Sequence, residues 1–315
     1  MDPYIRWLQE TKQPLYEMAG TYWRLYQKAL IPASVKPKPI QLNPEQEREL
    51  LHLSGAPFMR YFTRTVNSPT AFWYTACSRY CPKDLDLKVR ANIRRGYRNC
   101  RVERVDPAWL ADNGYPCYVA AFLRYRNAQP ESKDKFDEMC RGAVGGPFEF
   151  WAAFVGDKLA GFAKCVVGHD YAACLVLKLD SNFIRLDIAS ALKDSILSTY
   201  VSEQGKTVHA GFRSVIHDTN THDFLVRHGY RHVYCDLKVA YRPAVRTAVN
   251  LLYPFRPFVD RIPASSLKGN LRALLFQEEI RRSTKLIEES SFQQTSPPER
   301  IMRNDWNDHS GATEK

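Results

Sequence analysis

The sequence has no long apolar run. Of its 315 residues 44% are hydrophobic, yet no stretch approaches the ~18 consecutive apolar residues of a membrane-spanning helix. The first residues, Met1 to Trp7, lack the basic-then-apolar layout of a secretory signal peptide. We therefore expect no transmembrane segment and a cytoplasmic location.

Metal-binding and hydrolase motifs are also missing. None of the eight cysteines forms a Cys-x-x-Cys pair, and several lie in apolar stretches, which is typical of reduced core thiols. The pair Cys77 and Cys81 has no second pair to complete a metal site. The histidines between 209 and 232 match no ligand spacing, and there is no Gly-x-Ser-x-Gly. We expect neither a metal site nor a serine hydrolase.

Negative charge is in short supply. The chain has 45 Lys and Arg residues against 34 Asp and Glu residues, a formal charge of +11. A basic balance favours anionic partners such as nucleic acid, anionic lipid or a phosphate-bearing cofactor.

The clearest secondary-structure pattern runs through residues 147–241. Gly156-Asp157-Lys158 predicts a tight turn between two strands, and a third strand follows. Asp187 stands at the predicted N-cap of a helix with apolar residues at helical spacing. The predicted elements are strands 148–155, 159–167 and 172–179, helix 187–201, strand 207–212, helix 219–228 and strand 230–241.

The flanking regions suggest four segments. Apolar spacing predicts a helix over 14–30, and Asn67-Ser68-Pro69 predicts a hairpin between strands 57–66 and 70–78. The predicted division is an N-terminal helix and β-hairpin extension over 1–84, a central domain over 85–245, C-terminal helices over 246–289 and a disordered tail over 290–315.

The predicted order resembles the GNAT superfamily of acyltransferases, and within it chains related to Fem-type aminoacyl transferases. The resemblance rests on Arg213 to Asn220, Phe224-Leu225 and His228 to Arg231, and it covers about residues 85–245. It implies an α+β fold with a mixed, mostly antiparallel sheet flanked by helices. It also implies transfer of an acyl group from acetyl-CoA or another acyl-CoA to a small-molecule or peptide amine.

In that superfamily the cofactor wedges between the fourth and fifth strands, and its pyrophosphate lies on the N-terminus of the following helix. The expected glycine-rich turn is absent here, because no glycine occurs between Gly168 and Gly205. Fem-type enzymes also depart from this turn, since they take the aminoacyl group from tRNA. The resemblance assigns cofactor binding to Leu179, Asp180, Asn182 and Arg185.

Catalytic candidates crowd the turn after the predicted strand 207–212. A tyrosine that often serves as the acid in the superfamily is replaced by Leu225. His217 suits proton transfer, and Asp218 could be a base or a helix cap. The candidate catalytic set is His217, Asp218, Asn220 and Arg213.

Two surface features predict partners. Arg90, Arg94 and Arg98 recur every four residues of a predicted helix, with Arg95 beside them, so their guanidinium groups suit phosphate. We name these four residues the arginine stripe; a solvated basic face is the alternative. Residues 253–258 combine aromatics, prolines and Arg256 and could touch a membrane surface or pack internally.

Three functions remain open at this stage. Transfer from acyl-coenzyme A to an amine is the first. The second is a Fem-like transferase that uses aminoacyl-tRNA, and the third is a non-catalytic GNAT-shaped module that binds an anionic partner. An occluded slot beside residues 180–188 would favour the third.

Overall fold

The computed structural model describes residues 1–123, 129–216, 221–261 and 266–293. Its α-helices are α1 (Pro3–Glu10), α2 (Pro44–Ser54), α3 (Leu87–Asn99), α4 (Pro107–Asn113), α5 (Tyr115–Phe122), α6 (Lys133–Arg141), α7 (Ile188–Leu197), α8 (Thr221–Arg227), α9 (Pro243–Leu252) and α10 (Ser266–Gln293). Its strands are β1 (Tyr16–Met18), β2 (Thr21–Tyr26), β3 (Ala29–Pro32), β4 (Phe58–Tyr61), β5 (Phe72–Cys77), β6 (Arg101–Val105), β7 (Phe148–Val155), β8 (Lys158–Val167), β9 (Tyr171–Leu179), β10 (Thr207–Phe212), β11 (Arg231–Cys235) and β12 (Lys238–Tyr241).

The larger sheet has seven strands in the order β11-β5-β10-β9-β8-β7-β6. All neighbours run antiparallel except β9 and β10, which are parallel and are joined through α7. A parallel pair needs such a crossover, whereas the antiparallel β7 and β8 need only the tight turn at Gly156. The predicted α+β class and the mixed, mostly antiparallel sheet are confirmed.

The predicted helix over 14–30 is wrong, because this stretch forms β1, β2 and β3 of a second sheet. That sheet has the order β1-β2-β3-β4-β12. Its two tight turns hold Ala19-Gly20 and Gln27-Lys28 with positive φ, the conformation that two-residue hairpins favour. Trp23 is fully buried in this sheet's core, where truncation to alanine costs about 3–5 kcal/mol.

Two further strand predictions are wrong in their pairing. Strands β4 and β5 do not form a hairpin, since β4 joins the smaller sheet and β5 the larger one. The predicted strand 230–241 is likewise divided between the sheets as β11 and β12. Asp236 lies between β11 and β12, and its carboxylate accepts a 2.7 Å hydrogen bond from the Thr63 amide. This bond joins the two segments at which the chain passes from one sheet to the other.

Helices cover both faces of the larger sheet. Helix α7 buries Ile188 and Leu192 against one face. Helices α1, α4 and α6 bury Leu8, Leu110 and Phe136 against the other. No helix within the described residues is long and apolar enough to cross a membrane. The segment boundaries at 84, 245 and 289 stay predictions, and most of the tail predicted for 290–315 lies outside the described residues.

Candidate functional site

Strands β9 and β10 diverge near the middle of the larger sheet. Their last paired residues are Ala173 and His209. Beyond this pair β10 bends, since it has one more residue than β5 between His209 and Phe212 and Gly211 has a φ of 87° there. Such a bulge turns a strand away from its neighbour. The two strands therefore open like a V toward their C-terminal ends.

Strand β9 has a bulge of its own beside this opening. Cys174 pairs with Cys165 and Val176 pairs with Lys164, so Leu175 faces no residue of β8. Leu175 is 43% exposed and lines the opening. Bulges free backbone groups from the ladder and are frequent next to active sites.

A cavity of about 870 Å³ fills the space between the V and the smaller sheet. We name it the splay cavity. One wall comes from β9 and β10 and includes Ala173, Leu175 and His209. The opposite wall comes from β2, β4 and the segment 34–38. Its size matches the range of small-ligand sites.

His209 is a buried titratable group in the wall of the splay cavity. It is 7% exposed, and neither ring nitrogen has a hydrogen-bond partner in the part of the chain that the structure describes. Burial, reinforced by the nearby Lys36 ammonium, lowers the pKa of His209 to about 4. The imidazole is therefore neutral at pH 7 and offers a lone pair to a proton donor in the cavity.

Cationic side chains dominate the charges around the cavity. Only one carboxylate lies among its lining residues, that of Asp2, which caps α1 and accepts from the Tyr171 hydroxyl. The lining cations are Arg24, Lys36, Lys38, Arg60 and Arg213. Lys36 pairs with Asp170 outside the cavity, whereas Arg60 binds the neutral Gln277 at 3.1 Å. The arrangement suits a ligand with a negative charge.

The predicted cofactor-binding residues lie on the segment that joins β9 to α7. Leu179 ends β9, and residues 181–186 form a 3-10 helix. The Asp180 carboxylate caps this short helix by accepting from the Asn182 amide at 2.9 Å. Arg185 is exposed on it. The first turn of α7 follows and is covered by α3, because Arg95 pairs with the Asp187 carboxylate.

The covered α7 start fits coenzyme A poorly. A pyrophosphate needs free N–H groups and the positive end of the helix dipole. Here Asp187 is the N-cap residue, and its carboxylate adds negative charge at the helix start although it makes no capping hydrogen bond. A Cβ on Gly96 of α3 would lie 2.7 Å from the Asp187 carbonyl oxygen, so no space for a ligand separates α3 from this turn.

The arginine stripe is divided by the packing of α3. Arg94 and Arg98 are exposed, and neither forms an ion pair with the residues that the structure describes. Arg95 is bound to Asp187. Arg90 is half-buried, and its Nε is buried without a hydrogen-bond partner among the described residues. Two of the four guanidinium groups thus remain available to an external phosphate.

Three of the four predicted catalytic residues, His217, Asp218 and Asn220, lie outside the described residues. Arg213 lies at the edge of the splay cavity. It donates a 2.7 Å hydrogen bond to the Ala71 carbonyl, and its guanidinium stacks 4.8 Å from the centre of a Trp73 ring. In this position Arg213 contributes a positive charge to the cavity wall.

Sequence reasoning missed His209 and the cations of the smaller sheet. The signal for His209 was the one ionisable residue of a largely apolar strand, two residues before Gly211. No local signal places Arg24 or Arg60 at the same cavity, because they come from different strands of the second sheet. Within the described residues no group of three or more His, Cys, Asp or Glu side chains could hold a metal ion.

Comparisons with known proteins place the fold. No protein-family model matches the chain, and no curated protein sequence matches it. Among solved structures, the C-terminal domain (DUF2156) of a protein assigned as a lysylphosphatidylglycerol synthetase from Agrobacterium fabrum is similar. Its TM-score is 0.52 at 9% identity, over 80% of this chain and 93% of that one.

FemX is similar at a TM-score of 0.50 and 8% identity, over 79% of this chain and 93% of the other. At such identities the likeness concerns the fold alone. The chain has a GNAT-like fold related to that of Fem-type enzymes, as the sequence predicts.

Proposed function

We propose that this protein transfers an acyl group from an activated ester or thioester to an amine in the splay cavity. The observation that carries the proposal is the position of the cavity. It lies where the parallel strands β9 and β10 diverge, beside a β-bulge and a neutral buried histidine. Acyl transfer needs a proton acceptor, which His209 supplies, and N–H donors for the carbonyl oxygen, a role that we assign to the bulge.

His209 takes up the proton that the attacking amine loses. Its pKa of about 4 makes it a weak base, but it is fully unprotonated at neutral pH. A negatively charged acceptor bound beside it would raise that pKa toward the working range. The backbone N–H groups at the Leu175 bulge bind the carbonyl oxygen as negative charge develops on it.

The donor is best described as an aminoacyl ester on RNA, the second of the three functions that the sequence left open. The covered start of α7 weighs against acetyl-CoA or another acyl-CoA. Arg94 and Arg98 on α3 are exposed and form no ion pair with the described residues, and together with the excess of cations around the cavity they favour a polyanion. The acceptor is an amine that carries an anionic group, since Arg24, Lys38 and Arg60 surround the space it would occupy.

A non-catalytic module that binds an anionic partner is the second candidate. The covered slot beside residues 180–188 favours it. The cavity and its unpartnered imidazole favour the transferase instead, because a binding surface has no need of a buried neutral base. Whichever of the two functions holds, residues 253–258 offer an apolar surface, since Phe255 and Phe258 are 61% and 51% exposed. We propose that they touch an anionic membrane surface.

The test is a donor comparison. Acetyl-CoA and a mixture of aminoacyl-tRNAs are titrated calorimetrically at low and moderate salt, and each is then incubated with a panel of anionic amines. We expect tRNA binding that weakens with salt, no binding of acetyl-CoA, and an amide product by mass spectrometry. Binding of tRNA without any amide product would support the module, and micromolar binding of acetyl-CoA would restore the acyl-CoA donor.

A further inference from the structure

A cysteine and a lysine form a buried pair at the base of the V. The Lys193 ammonium donates to Cys174 Sγ at 3.2 Å. Lys193 lies on α7 and is 2% exposed. Within the described residues Cys174 Sγ is the only hydrogen-bond partner of this ammonium. A buried ammonium needs a negative partner, and the adjacent thiol is the group that can become one.

The surroundings of the pair favour a thiolate on Cys174. The Cys165 thiol, directly opposite on β8, and the Lys193 ammonium both lower the pKa of Cys174. The same proximity and burial raise the pKa of Cys165. Burial alone would lower the pKa of Lys193, but the Cys174 thiolate raises it above its usual value. Lys193 and Cys174 are therefore charged together.

No other charged side chain competes for Cys174 at close range among the described residues. Tyr230, which follows α8, places its ring centre 5.8 Å from the Lys193 ammonium, and its buried hydroxyl has no hydrogen-bond partner among the described residues. Glu149 on β7 and Cys77 on β5 influence the cluster from further away. The cluster thus holds one cation, one thiolate and neutral hydroxyl and thiol groups.

Cys174, unlike the buried Lys193, reaches the splay cavity. Cys174 is only half-buried and is one of the residues that line the cavity. It directly follows Ala173, the last β9 residue paired with β10, and directly precedes the bulged Leu175. His209, which is buried and has no hydrogen-bond partner within the described part of the chain, lines the same space. A low-pKa thiol in the wall of a ligand cavity is a group that nucleophilic catalysis can use.

We infer that Cys174 is a nucleophile that holds the acyl group between donor and acceptor, an inference that rests on the proposed acyl transfer. In the first step the Cys174 sulfur bonds to the carbonyl carbon of the donor and the bond to the leaving oxygen or sulfur breaks. The leaving atom keeps the electron pair and receives a proton from Lys193.

In the second step the acceptor amine attacks the acyl-cysteine. The carbon–nitrogen bond forms, the carbon–sulfur bond breaks, and the thiolate leaves with its electron pair. His209 takes the amine proton, which returns through water to Lys193. The products are the amide and the protonated leaving group, and the Cys174–Lys193 pair is restored without any oxidant or further co-reactant.

The first test asks whether Cys174 is a thiolate and needs no donor. The protein is treated with iodoacetamide from pH 5.5 to 9, and peptide mass spectrometry reports each cysteine. We expect Cys174 to react at pH 6.5 while Cys117 does not, because burial raises the pKa of Cys117 to about 12. Lys193→Met should slow the alkylation of Cys174 at pH 6.5 by about tenfold or more, and Lys193→Arg should restore much of it.

Lys164→Met is the matched control. Lys164 is another buried lysine, but it lies over the Phe148 ring on the opposite face of the sheet. This variant should alkylate like the wild type. If circular dichroism shows both proteins folded, equal alkylation rates of Cys174 in the wild type and in Lys193→Met would show that Cys174 is not a thiolate stabilised by Lys193. If Lys193→Met does not fold, the pH profile of the wild type decides. An alkylation midpoint at the ordinary thiol pKa would likewise show that Cys174 is not a thiolate at neutral pH.

The second test asks whether Cys174 accepts an acyl group. The small thioester S-acetyl-N-acetylcysteamine has no nucleotide and so avoids the covered α7 start. Incubation without an amine should acetylate Cys174 in the wild type and leave Cys174→Ala unmodified. A wild type that forms amide product while Cys174→Ala does so at the same rate would show direct transfer and refute the covalent step. A wild type that forms the acetyl-cysteine but never an amide would refute the proposed function instead.

Discussion

Gly96 of α3 lies directly against the backbone of Asp187, so that a Cβ at position 96 would come within 2.7 Å of the Asp187 carbonyl oxygen. The same Cβ would lie 2.9 Å from the Ala191 Cβ. Helix α3 can therefore pack on the first turn of α7 only with glycine at this point. This contact covers the helix start that would otherwise receive a pyrophosphate.

Gly96→Ala should destabilise the protein by about 1–3 kcal/mol, because both close neighbours are held by helix backbone and cannot move aside. Urea unfolding measures the change. Gly269→Ala is the control, since nothing lies within 4 Å of its Cβ position in α10 and alanine there should stabilise the helix by about 0.5–1 kcal/mol. If Gly96→Ala leaves the free energy of unfolding unchanged, α3 does not pack as closely on α7 as described.

His209 should make stability depend on pH. Its pKa is lowered from 6.5 to about 4, so between these values the unfolded chain binds more protons than the folded one. The contribution is fully present above pH 6.5 and is lost as pH falls toward 4, by at most about 3 kcal/mol. His209→Gln should remove this part of the pH dependence of unfolding, whereas the exposed His169→Gln should keep the wild-type profile.

The same His209→Gln variant should lower the rate of amide formation by about 10²-fold at neutral pH, the usual size of a general-base contribution. Donor binding should stay unchanged, because the imidazole faces the cavity and not α3. The readout is the split between kcat and KM. A normal kcat in this variant would contradict the role assigned to His209.

Replacing Arg94 and Arg98 with Gln should weaken tRNA binding and reduce the slope of log K against log salt by about 0.7–0.9 for each lost phosphate contact. Filter binding at several salt concentrations measures it. Adding Arg90→Gln should do little more, since Arg90 is half-buried. Arg48→Gln, an exposed arginine on α2 with a 76% exposed side chain, is the control. An unchanged tRNA affinity and an unchanged salt slope would show that the arginine stripe does not bind tRNA.

The apolar surface at the end of α9 should bind membranes. Leu251 is 66% exposed and Phe255 is 61% exposed, and Arg246 and Arg256 lie on the same segment. Phe255→Ser with Phe258→Ser should reduce co-sedimentation with vesicles of phosphatidylcholine and phosphatidylglycerol. Leu87→Ser, at a 73% exposed leucine on α3, should leave it unchanged. Equal sedimentation of both variants would exclude this segment as the contact.

Local patterns were sufficient for much of the larger sheet. The turn at Gly156-Asp157 and the apolar runs on either side predict β7 and β8, and helical spacing after Asp187 predicts α7. These signals are local, since a strand buried on both faces and a helix with one apolar face each leave a periodic pattern. The fold class follows from their order.

The region 14–30 shows where local patterns mislead. Leu15, Met18, Tyr22 and Leu25 have helical spacing, yet pairing with β3 and packing of Trp23 against Tyr61 make this stretch a sheet. Aromatic residues have a high strand propensity. Here the cross-strand contacts stabilise the sheet more than an isolated amphipathic helix of the same residues would be stabilised.

By itself the sequence determined the charge balance, the cysteine content and the order of the strands and the helix from 148 to 212. Only the tertiary structure decided the site. His209, Cys174 and Arg60 stand on three strands of two sheets, and nothing in their spacing along the chain brings them together. Their meeting depends on the bulges at Leu175 and Gly211, which open β9 from β10, and on the second sheet that closes the space. Such contacts between distant segments leave no periodic signal, because they are set by packing and not by the neighbours of each residue.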